Sequence, residues 1–370
     1  MTTPPMFTPY AMRGVTVPNR LAVSPMCMYS ADDGTPTDFH LVHLGGFAMG
    51  GTGLVMTEMT DVSADGRITP GCAGLYTAEH VKAWRRVADF IHGNTPAKFG
   101  IQVSHAGRKG STHRPWDGGS NKPLEPGGWE TIAPSSLPLL PESPPPRAMT
   151  EDDIARVRAD FVRTARLADE AGFDVIELHF AHGYLVAQFI SPLTNQRNDG
   201  YGGPVENRAR LAVEILTDVR KVWPADKPIM ARISSVDFID GGTTVEDAVV
   251  IARMLKDAGL DLLDVSSGGT TAAPRPRIPG LFNAPAARRI RAETGLPTAL
   301  VGNFASPHEM NDAVASGVAE ICMLGRGHLY DPAYARHAAR ALGQPLPWPK
   351  QYVLGDSFAS PWALAAPAAQ

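Results

Sequence analysis

The chain has 370 residues, 44% apolar and 19% charged, ordinary proportions for a globular protein, and a (β/α)8 barrel of about 250 residues with insertions accommodates that length without a second core. Thirty-four lysines and arginines against 38 acidic residues leave a net charge of −4, with no basic block, which disfavours nucleic acid as a partner and favours small molecules. No apolar run approaches the ~20 residues of a membrane span, the first residues lack the features of an export signal, and three scattered cysteines (Cys27, Cys72, Cys322) exclude a disulfide framework and a four-thiolate iron–sulfur cluster, so a cytoplasmic protein with reduced thiols is expected.

Short apolar runs suited to strands buried on both faces occur at 20–23, 53–59, 98–104, 175–179, 228–234, 262–266, 297–301 and 321–324. Stretches of helical period fill the gaps at 39–50, 79–92, 151–171, 205–222, 245–258, 284–294, 306–316 and 331–342. The alternation predicts a parallel sheet, and eight units predict a closed (β/α)8 TIM barrel of the α/β class spanning 1–370 as one domain. Thr150 followed by Asp153 has the form of an acidic capping box, and Gly172 marks the end of that helix. The phrases Ala-Gly-Phe-Asp (171–174), Ala-Gly-Leu-Asp (258–261) and Ser-Gly-Val-Ala (316–319) recur at corresponding helix-to-strand turns and support the barrel over a sandwich.

Two segments interrupt the pattern. The stretch 112–148, after the third strand, is crowded with Pro, Gly and Trp and is expected to form a cap over the barrel mouth, because Trp116, Trp129 and Ile132 suit a solvated linker poorly. The Pro-rich tail, 343–370, ends PWALAAPAAQ, with Trp362 either packed or frayed.

Active sites of such barrels lie at the C-terminal ends of the strands, and there the chain is polar. The residues concerned are Ser-Pro-Met-Cys-Met-Tyr (24–29), Ser-His-Ala-Gly-Arg-Lys (104–109), His-Phe-Ala-His-Gly-Tyr (179–184), Arg232, Val-Gly-Asn (301–303) and Leu-Gly-Arg-Gly (324–327). Gly302, Gly325 and Arg326 follow the last two strands, where barrels often bind phosphate through backbone N–H groups, although glycines there also serve simply as turns. A G-x-G-x-x-G fingerprint is absent, so a mononucleotide suits the site better than a dinucleotide. His179 and His182 can be read as metal ligands, as one core and one surface residue, or as N–H donors to a substrate oxygen with Tyr184 supplying a proton.

The motifs SPMCMY (24–29), HAGRK (105–109), ELHFAHGYL (177–185), SPLTNQRNDGYGGPVENRARL (191–211), DVSSG (264–268) and LGR (324–326) resemble the Old Yellow Enzyme family. The context of Cys27 and the two-histidine form are similar to the YqjM-like, or thermophilic-like, branch, near xenobiotic reductases of the XenA kind. The resemblance implies an FMN-dependent ene-reductase, an NADPH dehydrogenase type of enzyme with non-covalent FMN. NADPH or NADH reduces the flavin, and flavin N5 passes hydride to an α,β-unsaturated carbonyl, nitro or imide compound in a ping-pong cycle. Carried onto this chain, it implies that Ser24, Pro25, Met26, Cys27 and Met59 line the flavin, with Met59 standing where the family often has a small residue. Gln102 pairs with the pyrimidine edge, Arg232 lies against N1 and O2, and Gly302, Asn303, Gly325 and Arg326 hold the phosphate. His179 and His182 bind the substrate oxygen, Tyr184 donates the proton, Tyr29 lines the pocket and Cys27 tunes the flavin. A homodimer or higher homo-oligomer is an expectation of the same resemblance, although the tail lacks the arginine that relatives extend into a neighbouring site. Rival readings are a metal-dependent barrel hydrolase using His179 and His182, a Schiff-base aldolase, for which Lys98 lies at the wrong end of its strand, and a non-catalytic flavin-binding protein.

Overall fold

Eight parallel strands hydrogen-bond in sequence order into a closed barrel. They are β1 (Leu21–Val23), β2 (Leu54–Asp61), β3 (Lys98–Ser104), β4 (Val175–Phe180), β5 (Ile229–Ser234), β6 (Leu262–Ser266), β7 (Thr298–Val301) and β8 (Ile321–Leu324). The structure is a computed structural model that describes residues 2–125, 127–273, 276 and 278–355; the end of the tail, with Trp362, lies outside these residues. Helices including Asp38–Met49, Ala78–Asn94, Glu151–Ala171, Val245–Asp257, Ala284–Thr294 and Pro307–Ala315 surround the strands. Their inner faces pack on the outward side chains of the barrel in one continuous apolar core.

Local chemistry sets the element ends. Thr150 accepts the backbone N–H of Asp153 while the Asp153 carboxylate takes that of Thr150, completing the capping box. Gly172, Gly259 and Gly317, the glycines of the recurring phrase, all take positive φ, as a left-handed turn out of a helix requires. Two expectations change. The segment 205–222 divides into Val205–Arg208 and Arg210–Arg220, where the buried Arg208 turns away to donate to the carbonyls of Ile190 (2.7 Å) and Gly203 (2.6 Å). The last helix begins at Tyr334 rather than 331, and a separate short helix, Arg326–Tyr330, precedes it.

Inside the barrel the side chains form layers. The lower one is apolar: Ala22, Leu54, Met56, Val175, Met230 and Ile321 pack together with Met12, Val15 and Val17. Those last three belong to an antiparallel hairpin, Tyr10–Met12 with Val15–Val17, that stoppers the N-terminal end. Above this layer the interior turns polar. In β2 the register shifts between Met56 and Met59, so that Met59 pairs with Gln102 and Asp61 with Ser104. This bulge extends the strand two residues past its expected end and breaks the alternation by which the extension could be read.

The segment 112–148 lies against the barrel through specific contacts. Trp129 Nε1 donates to Asp65 O (3.0 Å), Arg67 lies over the Trp129 ring, and Ile132–Ala133 pairs with Arg147–Ala148. Trp116 departs from expectation: it is 62% exposed, and its ring meets Tyr29 edge-on at 5.9 Å. Among the described residues no helix is long and apolar enough to cross a membrane.

Candidate active site

The polar layer is organised around one cation. Arg232, on β5, is buried, and its Nε donates to Asp264 on β6. Nη2 donates to Ser24 Oγ (2.9 Å) at the end of β1. Glu177, on β4, lies 3.9 Å from Arg232 Nε and accepts a hydrogen bond from Gln102 Nε2 at 2.6 Å. The pairings Gln102 with Glu177, His179 with Arg232 and Arg232 with Asp264 in adjacent strands explain the gathering: side chains paired across a parallel sheet share a face. Two buried acids face one guanidinium; burial raises both carboxyls against the pull of Arg232, and the charge of Asp264 adds to the rise of Glu177, to about 7.

His179, His182 and Tyr184 come together one layer higher. The His179 ring lies 5.0 Å from that of His182 and 5.1 Å from that of Tyr184. Burial, reinforced by the charges of Arg232 and Lys109, pushes the His179 pKa well down, so its imidazole is neutral at physiological pH. Its Nδ1 is buried without a hydrogen-bond partner among the described residues. The Tyr184 phenol is pushed up, first by burial and then by nearby acidic groups, and keeps its proton.

The loop that carries these groups is firmly held. His182 and Gly183 both take positive φ, 60° and 71°, a conformation that histidine adopts only under constraint. The His182 backbone N–H donates to Ser234 Oγ (2.9 Å), and His182 Nε2 contacts Ser266 Oγ (2.7 Å). Lys109 Nζ donates to the carbonyls of His182 (2.7 Å) and Gly269 (2.9 Å) and lies 5.1 Å from the Tyr184 ring centroid. Gln188 Nε2 donates to Gly183 O (2.7 Å). Tyr184 caps the short helix Leu185–Ile190, whose first N–H donates to His105 O (2.9 Å).

Beside this cluster opens a cleft of about 680 Å3, whose border includes Ser24, Met26, His182, Arg232, Gly302, Asn303, Gly325 and Arg326. A Cβ on Gly302 would meet nothing within 4 Å, and one on Gly325 would reach 3.4 Å from Met26 Sδ. Pro25 is half-buried between Ser24 and Met26. Cys27, Tyr29 and Tyr184 pack against Met59, Ile68, Cys72 and Ala106. Burial holds the Cys27 thiol protonated. The candidate site residues on the barrel strands and the loops that follow them therefore lie toward the C-terminal ends of the strands. Sequence reasoning assigned no role to the supports, namely Lys109, Gln188, Ser234, Ser266, Glu177 and Asp264. Lys109 stood in the polar run 104–109, and Glu177 and Asp264 are acids inside runs otherwise apolar enough for a buried strand. Asp61 is a further addition, buried with neither carboxylate oxygen hydrogen-bonded.

A family model described as NADH:flavin oxidoreductase / NADH oxidase matches residues 5–344. The chain belongs to this family. An NADPH dehydrogenase of Listeria monocytogenes serotype 4a (strain HCC23) is 41% identical over 349 residues, 94% of this chain and 98% of the relative. One from Geobacillus sp. (strain WCH70) is 41% identical over 357 residues, 95% and 99% of the two chains. Among solved structures, a 2-naphthoyl-CoA reductase in complex with 2-naphthoyl-CoA superposes with a TM-score of 0.82 at 26% identity over 93% of this chain, which spans only 53% of that one. Morphinone reductase superposes at 0.76 with 24% identity, over 93% and 91% of the two chains, a likeness of fold. The protein is thus a flavin oxidoreductase of the Old Yellow Enzyme kind that uses FMN and NAD(P)H.

Proposed function

We propose that this oxidoreductase is an ene-reductase of the thermophilic-like branch, reducing the C=C bond of α,β-unsaturated carbonyl, nitro or imide compounds. The observation that carries the reading is the trio of a neutral His179, a tethered His182 and a protonated Tyr184 beside a cleft that suits FMN.

The fit to FMN rests on what the cleft offers. A mononucleotide needs a phosphate end, which Gly302, Asn303, Gly325 and Arg326 supply with open backbone and a guanidinium. It also needs polar groups for its pyrimidine edge: Arg232 borders the cleft with Ser24 and Met26, and Gln102 is linked to it through Glu177, while Pro25, Cys27 and Met59 are the further residues the reading assigns to the flavin's lining. FMN supplies the hydride chemistry, taking hydride from NAD(P)H and giving it to the β-carbon of the alkene.

The protein's part is polarisation and proton delivery. N–H groups of His179 and His182 hold the oxygen of the activating group, which gains negative charge as the β-carbon is reduced. Because His179 is neutral, it donates without becoming a competing acid. Tyr184 gives its proton to the α-carbon, and the nearby ammonium of Lys109 stabilises the phenolate left behind. Tyr29, with Trp116 at its edge, closes the substrate side. The likeness to 2-naphthoyl-CoA reductase adds acyl-CoA thioesters to the substrates to be tried.

The test is anaerobic. NADPH-reduced enzyme mixed with 2-cyclohexenone is expected to reoxidise and yield cyclohexanone, and His179→Ala and His182→Ala are each expected to slow that step and abolish the long-wavelength band formed with p-hydroxybenzaldehyde. Reduced enzyme that reoxidises only with oxygen overturns the ene-reductase reading.

A further inference from the structure

The pair of hydrogen-bonded side chains under the cleft, Gln102 and Glu177, has a consequence for cofactor recognition. A glutamine amide has two ends of opposite character, a carbonyl that only accepts and an NH2 that only donates, and a half-turn exchanges them. What fixes the choice here is Glu177. Its Oε1 accepts from Gln102 Nε2 at 2.6 Å and lies 3.9 Å from the positively charged guanidinium of Arg232, which favours an unprotonated oxygen there and leaves any proton on the carboxyl to Oε2, which has no partner among the described residues. Turning the Gln102 amide over would set its carbonyl against an oxygen at the same short distance, two acceptors with no hydrogen between them.

We propose that Glu177 is a positioning residue for the flavin: by taking the Gln102 N–H it commits the Gln102 carbonyl oxygen to the cleft, as the acceptor for the N3–H of the FMN pyrimidine ring. That ring presents one N–H between two carbonyl oxygens, so it is read by an acceptor flanked by donors. Gln102 Oε1 is the acceptor, and among the described residues no donor reaches it. Arg232 is the neighbouring donor: its Nε is engaged by Asp264 and its Nη2 by Ser24 and Met323, whereas Nη1 has no hydrogen bond among the described residues. The division of labour follows from charge. Asp264 takes the direct ion pair with Arg232, which leaves Glu177, fully buried, the weaker share of the cation and the task of holding a neutral amide. Glu177 touches neither cofactor nor substrate and acts only through Gln102. The inference rests on the assignment of the cleft to FMN.

Apoprotein titrated with FMN and, separately, with N3-methyl-FMN, followed by quenching of flavin fluorescence, tests it. Wild type is expected to bind FMN about tenfold or more tightly than the N3-methyl analogue, since the methyl removes one hydrogen bond and leaves a buried acceptor unpaired. Glu177→Met frees the amide to turn, so the preference is expected to collapse while FMN still binds through its phosphate. Glu177→Gln keeps a carbonyl oxygen facing Gln102 and Arg232 and is expected to restore the preference. Failure of wild type to bind FMN at all would defeat the cleft assignment. Equal affinity of wild type for the two flavins overturns the inference even if Glu177→Met does not fold, as does a Glu177→Met protein that keeps the full preference.

Discussion

Replacing Gly183 by alanine isolates the contribution of loop geometry, because it alters neither charge nor any proposed catalytic group. Gly183 has φ +71°, and a Cβ there would lie 2.4 Å from Gly269 O and 2.7 Å from Thr270 Cα, both backbone atoms. The left-handed conformation costs an alanine about 1 to 2 kcal/mol. Relieving the overlap to an ordinary contact distance parts the loops after β4 and β6 by roughly 1 Å, at a further cost on the order of 1 to 3 kcal/mol. Those two loops are joined by Lys109 Nζ, bonded to His182 O and Gly269 O, and by the 2.7 Å contact of His182 Nε2 with Ser266 Oγ. Stretching them by that amount takes them out of hydrogen-bonding range. A misplaced reacting group costs on the order of 10²-fold in rate. Gly183→Ala is therefore expected to keep its FMN, whose proposed phosphate site is built from other loops, to melt several degrees lower, and to lose about two orders of magnitude in kcat with 2-cyclohexenone. The assay is steady-state turnover with NADPH, alongside flavin content and thermal unfolding. An alanine variant within about threefold of wild-type kcat refutes the argument that loop position limits the chemistry.

Tyr184→Phe is expected to slow reoxidation of reduced enzyme by 2-cyclohexenone while leaving anaerobic reduction by NADPH near the wild-type rate; stopped-flow traces of the two half-reactions check this, and an unchanged oxidative rate would assign the proton to another source. Nitroalkenes, whose nitronate products water can protonate, are expected to suffer less in the same variant. Cys27→Ala is expected to retain the fold and FMN but shift the flavin midpoint potential, measured by dye-coupled reduction, and an unmoved potential would reduce Cys27 to packing. Stability is expected to fall with acid between pH 6.5 and about 4, because burial depresses the pKa values of His43 and His328 to about 4. Unfolded histidines, with pKa about 6.5, take up protons in that window that the folded ones refuse, so stability is present above it and lost as pH falls through it. His328, whose Nδ1 donates to Leu324 O (2.8 Å) and whose Nε2 meets Thr52 Oγ1 (2.9 Å), contributes at most about 1.4 kcal/mol per pH unit. A thermal midpoint that stays level from pH 7 to 5 contradicts this account.

The barrel was legible because its strands are buried on both faces. A run such as Ile321–Leu324 reads as an uninterrupted apolar segment, and the glycines that end the helices fall at matching places. The bulge in β2 was hidden because an inserted residue leaves no mark in composition. The short helices after β4 and β8 were hidden as well: six and five residues are too few to establish a period. At the site, the polar strand ends named His179, His182, Tyr184 and Arg232 directly, and the family resemblance added Gln102. What holds them was invisible, because Lys109 reaches His182 across 73 residues of sequence and Ser266 reaches it across 84, separations that only the closed sheet brings together.

The hairpin that closes the bottom of the barrel governs traffic. It is tied down by Gly14 N–H to Asp226 O (2.8 Å) and by Arg13 to Asp261 (2.6 Å), and its valines complete the apolar plug beneath the polar layer. A vessel stoppered at its base fills and empties through one door. Under the proposed cycle, the nicotinamide that brings electrons and the acceptor that removes them share that opening in turn, each leaving before the other enters. Crowding the door with either reactant then slows the enzyme rather than speeding it, and the ratio of the two reactants, more than the amount of each, sets the rate at which the flavin is worked.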